Sequence, residues 1–235
     1  MFWLVKIFLA KLFDSAVAFN KQNIFKCIPV TSSEGQLLDL GCGDGEWALH
    51  LASKSGISRI SGIEVSQHRA LQARARGIQA EVVGLDERFP FPDQTFDIVH
   101  ANQVFGNLSN TDAFIEAIER VLKPGGTVVI STENASSWHN VFAAAMGWQM
   151  FSFTGFSQIA NGIGKPLALH RGESVETAWG RHSAIFSYRG LKEFFQLHGF
   201  KNIKILGSGY YPLPPFFGAL DPRHAAFITL VAEKN

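Results

Sequence analysis

Leu37-Leu-Asp-Leu-Gly-Cys-Gly-Asp-Gly45 decides the fold. Apolar residues lead into an acid and then into glycines at three alternate positions, Gly41, Gly43 and Gly45. A short apolar run that ends this way reads as a buried strand over 36–40 and then a tight turn, because glycine takes positive φ at no steric cost and lets a ligand approach the backbone. Downstream, the 46–54 stretch reads as a helix and 59–65 as a second strand. Ser66 is placed to cap a helix that runs to Arg76 and closes at Gly77. Residues 80–84 and 95–101 read as further strands. Ser109 and Asp112 form a capping-box-like pair before Phe114, Ile118, Val121 and Leu122, which recur at helical spacing until Lys123-Pro-Gly-Gly126 stops the helix. A β-branched strand over 127–131 follows. Ser187 then caps a helix carrying Leu191, Phe194, Phe195 and Leu197, and 203–206 and 225–232 read as the last strands. Strands alternating with helices predict an α/β fold whose mostly parallel sheet is covered on both faces.

The chain has 235 residues with no repeat and no low-complexity linker, so one domain is expected over 1–235. Within it, 1–30 reads as an N-terminal apolar helix and 135–181 as an aromatic-rich insertion or lid. The latter is too long for a plain loop, and its first part, 138–150, is expected to be helical. The 46% hydrophobic and 17% charged composition excludes a disordered chain, and the net charge of +1 argues against binding a nucleic acid along an extended surface. The two cysteines, Cys27 and Cys42, fit neither a disulfide framework nor a metal site, which suits a reducing, cytoplasmic setting. Lys6, Lys11 and Asp14 interrupt the apolar N-terminus, so it cannot span a bilayer. It is expected to pack on the domain, cap a pocket or lie on a membrane surface, with a cleaved leader as a further reading.

The glycine turn has a chemical sense. A dinucleotide fingerprint would place a third glycine where this chain has Glu46, and an acid at that helix start opposes a pyrophosphate. With Asp39 and Asp44 nearby, the turn suits a cationic or neutral ligand. The second strand ends in Gly62-Ile-Glu64, which puts at the carboxyl edge of the sheet an acid able to accept both hydroxyls of a ribose.

Taken together, Leu37–Ala52, then Gly62-Ile-Glu-Val-Ser66, then Phe89–Val104, then Arg120–Thr132 resemble class I S-adenosylmethionine-dependent methyltransferases of the large small-molecule type. The resemblance implies a Rossmann-like seven-stranded sheet with its last strand antiparallel. It implies that Asp39 and the backbone of Gly41, Cys42, Gly43 and Gly45 hold the methionine part of S-adenosylmethionine. It further implies that Glu64 takes the ribose, that Val65 packs on adenine, and that Asn102 lines the methionine side. Two positions depart from the family pattern. Leu85 stands where an acid usually meets the adenine amino group, with Asp86 as its nearest substitute and Glu87 after it. Asn107 stands where many relatives carry an active-site histidine.

Methyl transfer from a sulfonium needs alignment more than acid–base power, but an oxygen acceptor also needs a base. His139, His170 and His182 lie in or near the aromatic segment, and His170 and His139 are the candidate catalytic residues. No metal site is expected, since no ligand spacing appears. A nucleobase acceptor is disfavoured because Asn102-Gln-Val-Phe105 stands where such enzymes carry a Pro-Pro-aromatic motif. The aromatics suit a small-molecule, sugar or lipid-like acceptor, apolar or membrane-associated. The competing readings are a non-catalytic cofactor-fold binder and another transferase or an oxidoreductase on the same fold.

Overall fold

A computed structural model of the protein describes residues 2–154, 162–168 and 184–235, with side chains from residue 7 onward. The seven strands are β1 (Gln36–Leu40), β2 (Arg59–Ile63), β3 (Gln79–Glu81), β4 (Phe96–Asn102), β5 (Leu122–Glu133), β6 (Phe200–Ser208) and β7 (Phe227–Lys234). They form one sheet in the order β3-β2-β1-β4-β5-β7-β6. The pairs on the β3 side of β5 are parallel, and β7 runs antiparallel to both β5 and β6. The fold is therefore the α/β, mostly parallel sheet with a reversed last strand that the sequence predicts.

Strand order explains the burial. Leu37 to Leu40 are all buried, because β1 sits centrally with both faces covered. On one face Leu38, Leu40, Val99, Ala101, Val128 and Ile130 pack with α4 (Thr111–Val121) and α6 (Tyr188–Leu197). On the other, Leu37, Ile98 and Val129 pack with α2 (Glu46–Ser55), α3 (Gln67–Ala75) and the carboxyl end of α1 (Phe2–Cys27).

Helix α1 is fastened by asparagines rather than by grease alone. The Asn20 amide donates to Ser131 Oγ at 2.8 Å, and Asn20 Oδ1 accepts from Thr229 Oγ1 at 2.9 Å. Three residues on, Asn23 donates to the Gly207 carbonyl at 3.1 Å. These bonds reach β5, β7 and β6 in turn and fix the helix across that end of the sheet. No helix among the described residues is long and apolar enough to cross a membrane.

Local expectations moved in three places. The cap of α4 is Asn110, which accepts from Ala113 N at 3.1 Å, and not Ser109. Asp86 Oδ1 explains the shift, since it already binds the backbone N–H groups of Ser109 and Asn110 at 2.9 and 3.2 Å. Helix α5 (Trp138–Ala145) ends five residues short of Met150, because Gly147 takes φ 69° and Trp148 N folds back onto the Ala143 carbonyl. Strand β5 begins at Leu122, a residue expected to end the helix, and runs through the Lys123–Gly126 segment expected only to stop it.

Candidate active site

The chain reverses its winding direction between β1 and β4, and a crevice opens at the carboxyl ends of strands flanking such a switch point. Register fixes what stands there. Leu40 pairs with Ile63 on one side and with Ala101 on the other, so Gly41 is flanked one residue later by Glu64 and by Asn102. Adjacent strands lie about 4.8 Å apart, which brings three of the residues singled out in the sequence to one edge.

The turn itself needs its glycines. Gly45 has φ 85° and starts α2, and a Cβ there would meet Ile78 Cδ1 at 2.4 Å. Gly43 has φ 57° and nothing within 4 Å of where its Cβ would be, so its backbone faces open space. Gly41 N and Cys42 N donate to the Ile63 carbonyl at 2.8 and 3.0 Å, tying the turn to β2. The Glu64 carboxylate, itself buried, completes the tie: Oε2 accepts from Gly43 N at 3.0 Å and Oε1 from Ser66 N at 2.8 Å. Each oxygen keeps a second lone pair for a ligand hydroxyl.

Other predicted residues are placed more variously. Val65 is 76% exposed, an uncovered apolar side chain one residue beyond Glu64. Asn102 Oδ1 is buried and has no hydrogen-bond partner among the described residues. Cys42 turns its side chain inward against Gly62, leaving only its backbone toward the crevice. Burial pushes its thiol up to about 12, with Asp39, Glu64 and Asp44 adding to the shift, so the turn carries a negative field. Arg76 pairs with Asp44 at 3.2 Å and offsets part of that field. Asp86 is exposed and binds the backbone before α4 as described, whereas Leu85 packs on the core. His170 and His182 lie outside the described residues.

The sequence reading missed His100. Asp39 is buried, and its Oδ1 lies 2.7 Å from His100 Nδ1, directly across β4. An acid in the middle of a buried strand needs a partner, and His100 is the polar residue at the matching place of β4. That signal was available but depended on knowing that β1 and β4 are neighbours.

At the end of β5 and the start of β7 lies a cavity of about 800 Å³. This is within the usual range of small-molecule sites. Its walls are mostly apolar, with Leu9 and Phe13 of α1, Phe142 of α5, and Phe151 and Phe227 among them. Its polar lining residues include the titratable Glu133, His139, Lys165, Tyr210 and Tyr211 and the hydroxyls of Ser152 and Thr154. The His139 ring lies 5.9 Å from Phe151 and 5.1 Å from Tyr211, and burial lowers its pKa to about 4 against the opposing pull of Glu133. The Lys165 ammonium donates to the carbonyls of Phe151 and Phe153, and burial lowers its pKa to about 8, again opposed by Glu133. Glu133 and Lys165 were not singled out from the sequence, whereas the 210–215 stretch reads as a rigid turn able to rim a pocket, and Tyr211 does line it. Glu133 reads as a strand end, and Lys165 sits in the segment without periodicity.

The arrangement combines an acid-lined crevice at the switch point with a mostly apolar cavity at the end of β5 and the start of β7. A family model described as methyltransferase domain matches residues 11–205. The chain is 30% identical over 201 residues to the demethylmenaquinone methyltransferase of Lactobacillus johnsonii, covering 80% of this chain and 78% of that one. It is 30% identical to the mitochondrial ubiquinone biosynthesis O-methyltransferase of Rattus norvegicus, over 58% of this chain and 43% of that one. Among solved structures it superposes on an S-adenosylmethionine-dependent methyltransferase of Thermotoga maritima, a possible histamine N-methyltransferase, with a TM-score of 0.61, 16% identity and full coverage of both chains. The switch-point crevice, the matched family model and relatives along most of its length agree: the chain belongs to the methyltransferase-domain family and is an S-adenosylmethionine-dependent methyltransferase.

Proposed function

We propose that the protein methylates a small, largely apolar acceptor that carries an ionisable hydroxyl and binds in the 800 Å³ cavity. The observation that carries this reading is the cavity's lining: a predominantly apolar wall with convergent polar groups, at the carboxyl end of β5, the strand paired with β4. Relatives named for demethylmenaquinone and ubiquinone chemistry support it. So does the absence of strong charge, which suits neither nucleic acid nor an extended polyanion. Trp138 and Phe142 on α5 line the cavity while staying partly exposed, with Val141, Met146 and, on α1, Phe8 also exposed, and we assign to these apolar side chains contact with a membrane surface from which such an acceptor is taken.

The cofactor residues follow from the crevice. Bound S-adenosylmethionine supplies a methyl group on a sulfonium, a leaving group that needs no further activation. Glu64 would hold the ribose hydroxyls, pre-aimed by the N–H groups of Gly43 and Ser66. Val65 would cover adenine. Asp86 would take the adenine amino group through the oxygen not engaged with Ser109 and Asn110. Asp39, the 41–45 backbone and Asn102 would surround the methionine, where the buried Asn102 Oδ1 fits an ammonium donor. His139 would accept the acceptor's proton. His170, assigned by sequence alone, is the second histidine proposed for that role.

Glu64→Ala is expected to weaken S-adenosylmethionine binding by about 1–3 kcal/mol, the scale of hydrogen bonds to a charged group. Calorimetry checks it, and unchanged affinity would place the ribose elsewhere. The acceptor class is tested with labelled methyl donor and cell extract separated into lipid-soluble, sugar and protein fractions. Label is expected in small lipid-soluble compounds, and label confined to protein or sugar would overturn the proposal.

A further inference from the structure

Two adjacent tyrosines in the loop between β6 and β7 have opposite hydrogen-bonding fates. The Tyr210 hydroxyl donates to Asp221 Oδ2 at 2.8 Å and accepts from Trp138 Nε1. Tyr211 lines the cavity, and its hydroxyl is buried and has no hydrogen-bond partner among the described residues. Buried polar atoms nearly always find a partner, and leaving one unmade costs free energy that a complementary ligand can recover. Here the geometry is specific: the Tyr211 ring stands edge-on to His139 in a wall whose apolar part is built from Leu9, Phe13, Phe142, Phe151 and Phe227.

We propose that the Tyr211 hydroxyl is the donor that anchors the acceptor's oxygen, so that the cavity selects an apolar ring bearing a hydroxyl over an isostere without one. One ligand hydroxyl then accepts from Tyr211 and donates to His139, which orients it for loss of its proton and for attack on the methyl group. Burial, with Glu133 and Asp14 nearby, raises the Tyr211 pKa, so the phenol keeps its proton and acts as a donor throughout the working range of pH. The same loss of a matched partner makes a site that hydrogen-bonds a hydroxyl reject the analogue lacking it far more strongly than an apolar wall rejects a methyl group. Tyr211 is thus a specificity residue distinct from the base. The inference rests on the reading that the cavity holds the acceptor.

The test compares 1-naphthol with 1-methylnaphthalene, which has a methyl group in place of the hydroxyl. Binding to the full chain is followed by tryptophan fluorescence, since Trp138 lines the cavity, with S-adenosylhomocysteine saturating. The wild type is expected to prefer naphthol by roughly ten- to hundredfold. Tyr211→Phe is expected to erase that preference while leaving methylnaphthalene affinity within about twofold, and the retained affinity shows that the variant is folded. A preference that survives Tyr211→Phe, or a wild type that binds both compounds equally, overturns the inference and leaves the cavity reading standing. Failure of the wild type to bind either compound overturns the cavity reading itself.

Discussion

His139→Ala is expected to lower kcat by about 10²- to 10⁴-fold, the usual contribution of a positioned general base, while leaving S-adenosylmethionine affinity unchanged. The expectation follows from where the imidazole stands. It lines the acceptor cavity between Phe151 and Tyr211, away from the glycine turn, so its removal should not disturb the nucleoside crevice. In the proposed reaction the acceptor hydroxyl would give its proton to the imidazole as it attacks the methyl group that bound S-adenosylmethionine would supply. Glu133 would stabilise the imidazolium through the same attraction that partly opposes the effect of burial on His139. Burial sets the pH dependence. The base must be neutral to act, and with a pKa of about 4 it is neutral down to that region, so the histidine-linked loss of rate occurs as pH falls through about 4 and not through 6.5. The sign for stability is the same: the unfolded chain binds the proton more readily between those values, so the fold loses stability as pH falls across them. Single-turnover transfer of labelled methyl checks the rate, and added imidazole should restore part of it in the alanine variant. Full turnover without His139 would sink the assignment.

The glycine turn and the order of strands and helices were legible because each rests on local chemistry, whereas the reversed last strand came only with the family resemblance. Glycine spacing, apolar runs and caps are written within a few residues of where they act. What was not legible depends on contacts distant in sequence. The cap of α4 moved from Ser109 to Asn110 because a carboxylate 23 residues upstream holds the intervening backbone. Asp39 and His100 meet only because β1 and β4 are neighbours, 61 residues apart in the chain. The polar set of the cavity comes from a strand end, a loop lysine and a turn tyrosine, none of which carries a periodic signal. The N-terminal helix is a further case. Its apolar content was plain, but its mooring through Asn20 and Asn23 needs three strands that the chain forms some 100 to 200 residues later.

Asp39→Ala is expected to destabilise the fold by about 3–5 kcal/mol, the cost of removing one member of a buried pair. For a chain of this length that amounts to a fall in Tm of roughly 6–20 °C, measured by thermal unfolding. The reason lies in what is left behind. His100 is 1% exposed, its Nε2 already lacks a hydrogen-bond partner among the described residues, and without Asp39 its Nδ1 would lack one too. The double variant Asp39→Ala/His100→Leu removes both polar groups together, and most of the lost stability should return, because two matched apolar replacements avoid the penalty of an orphaned one. The cycle also separates two roles for the carboxylate. If Asp39 served only to satisfy His100, the double variant would regain cofactor affinity together with stability. If it also holds the methionine part of the cofactor, stability returns and affinity does not, and that is the expected outcome. A stability change within about 0.5 kcal/mol for Asp39→Ala alone, the range of an ordinary surface substitution, would mean that the pair carries no weight in the fold.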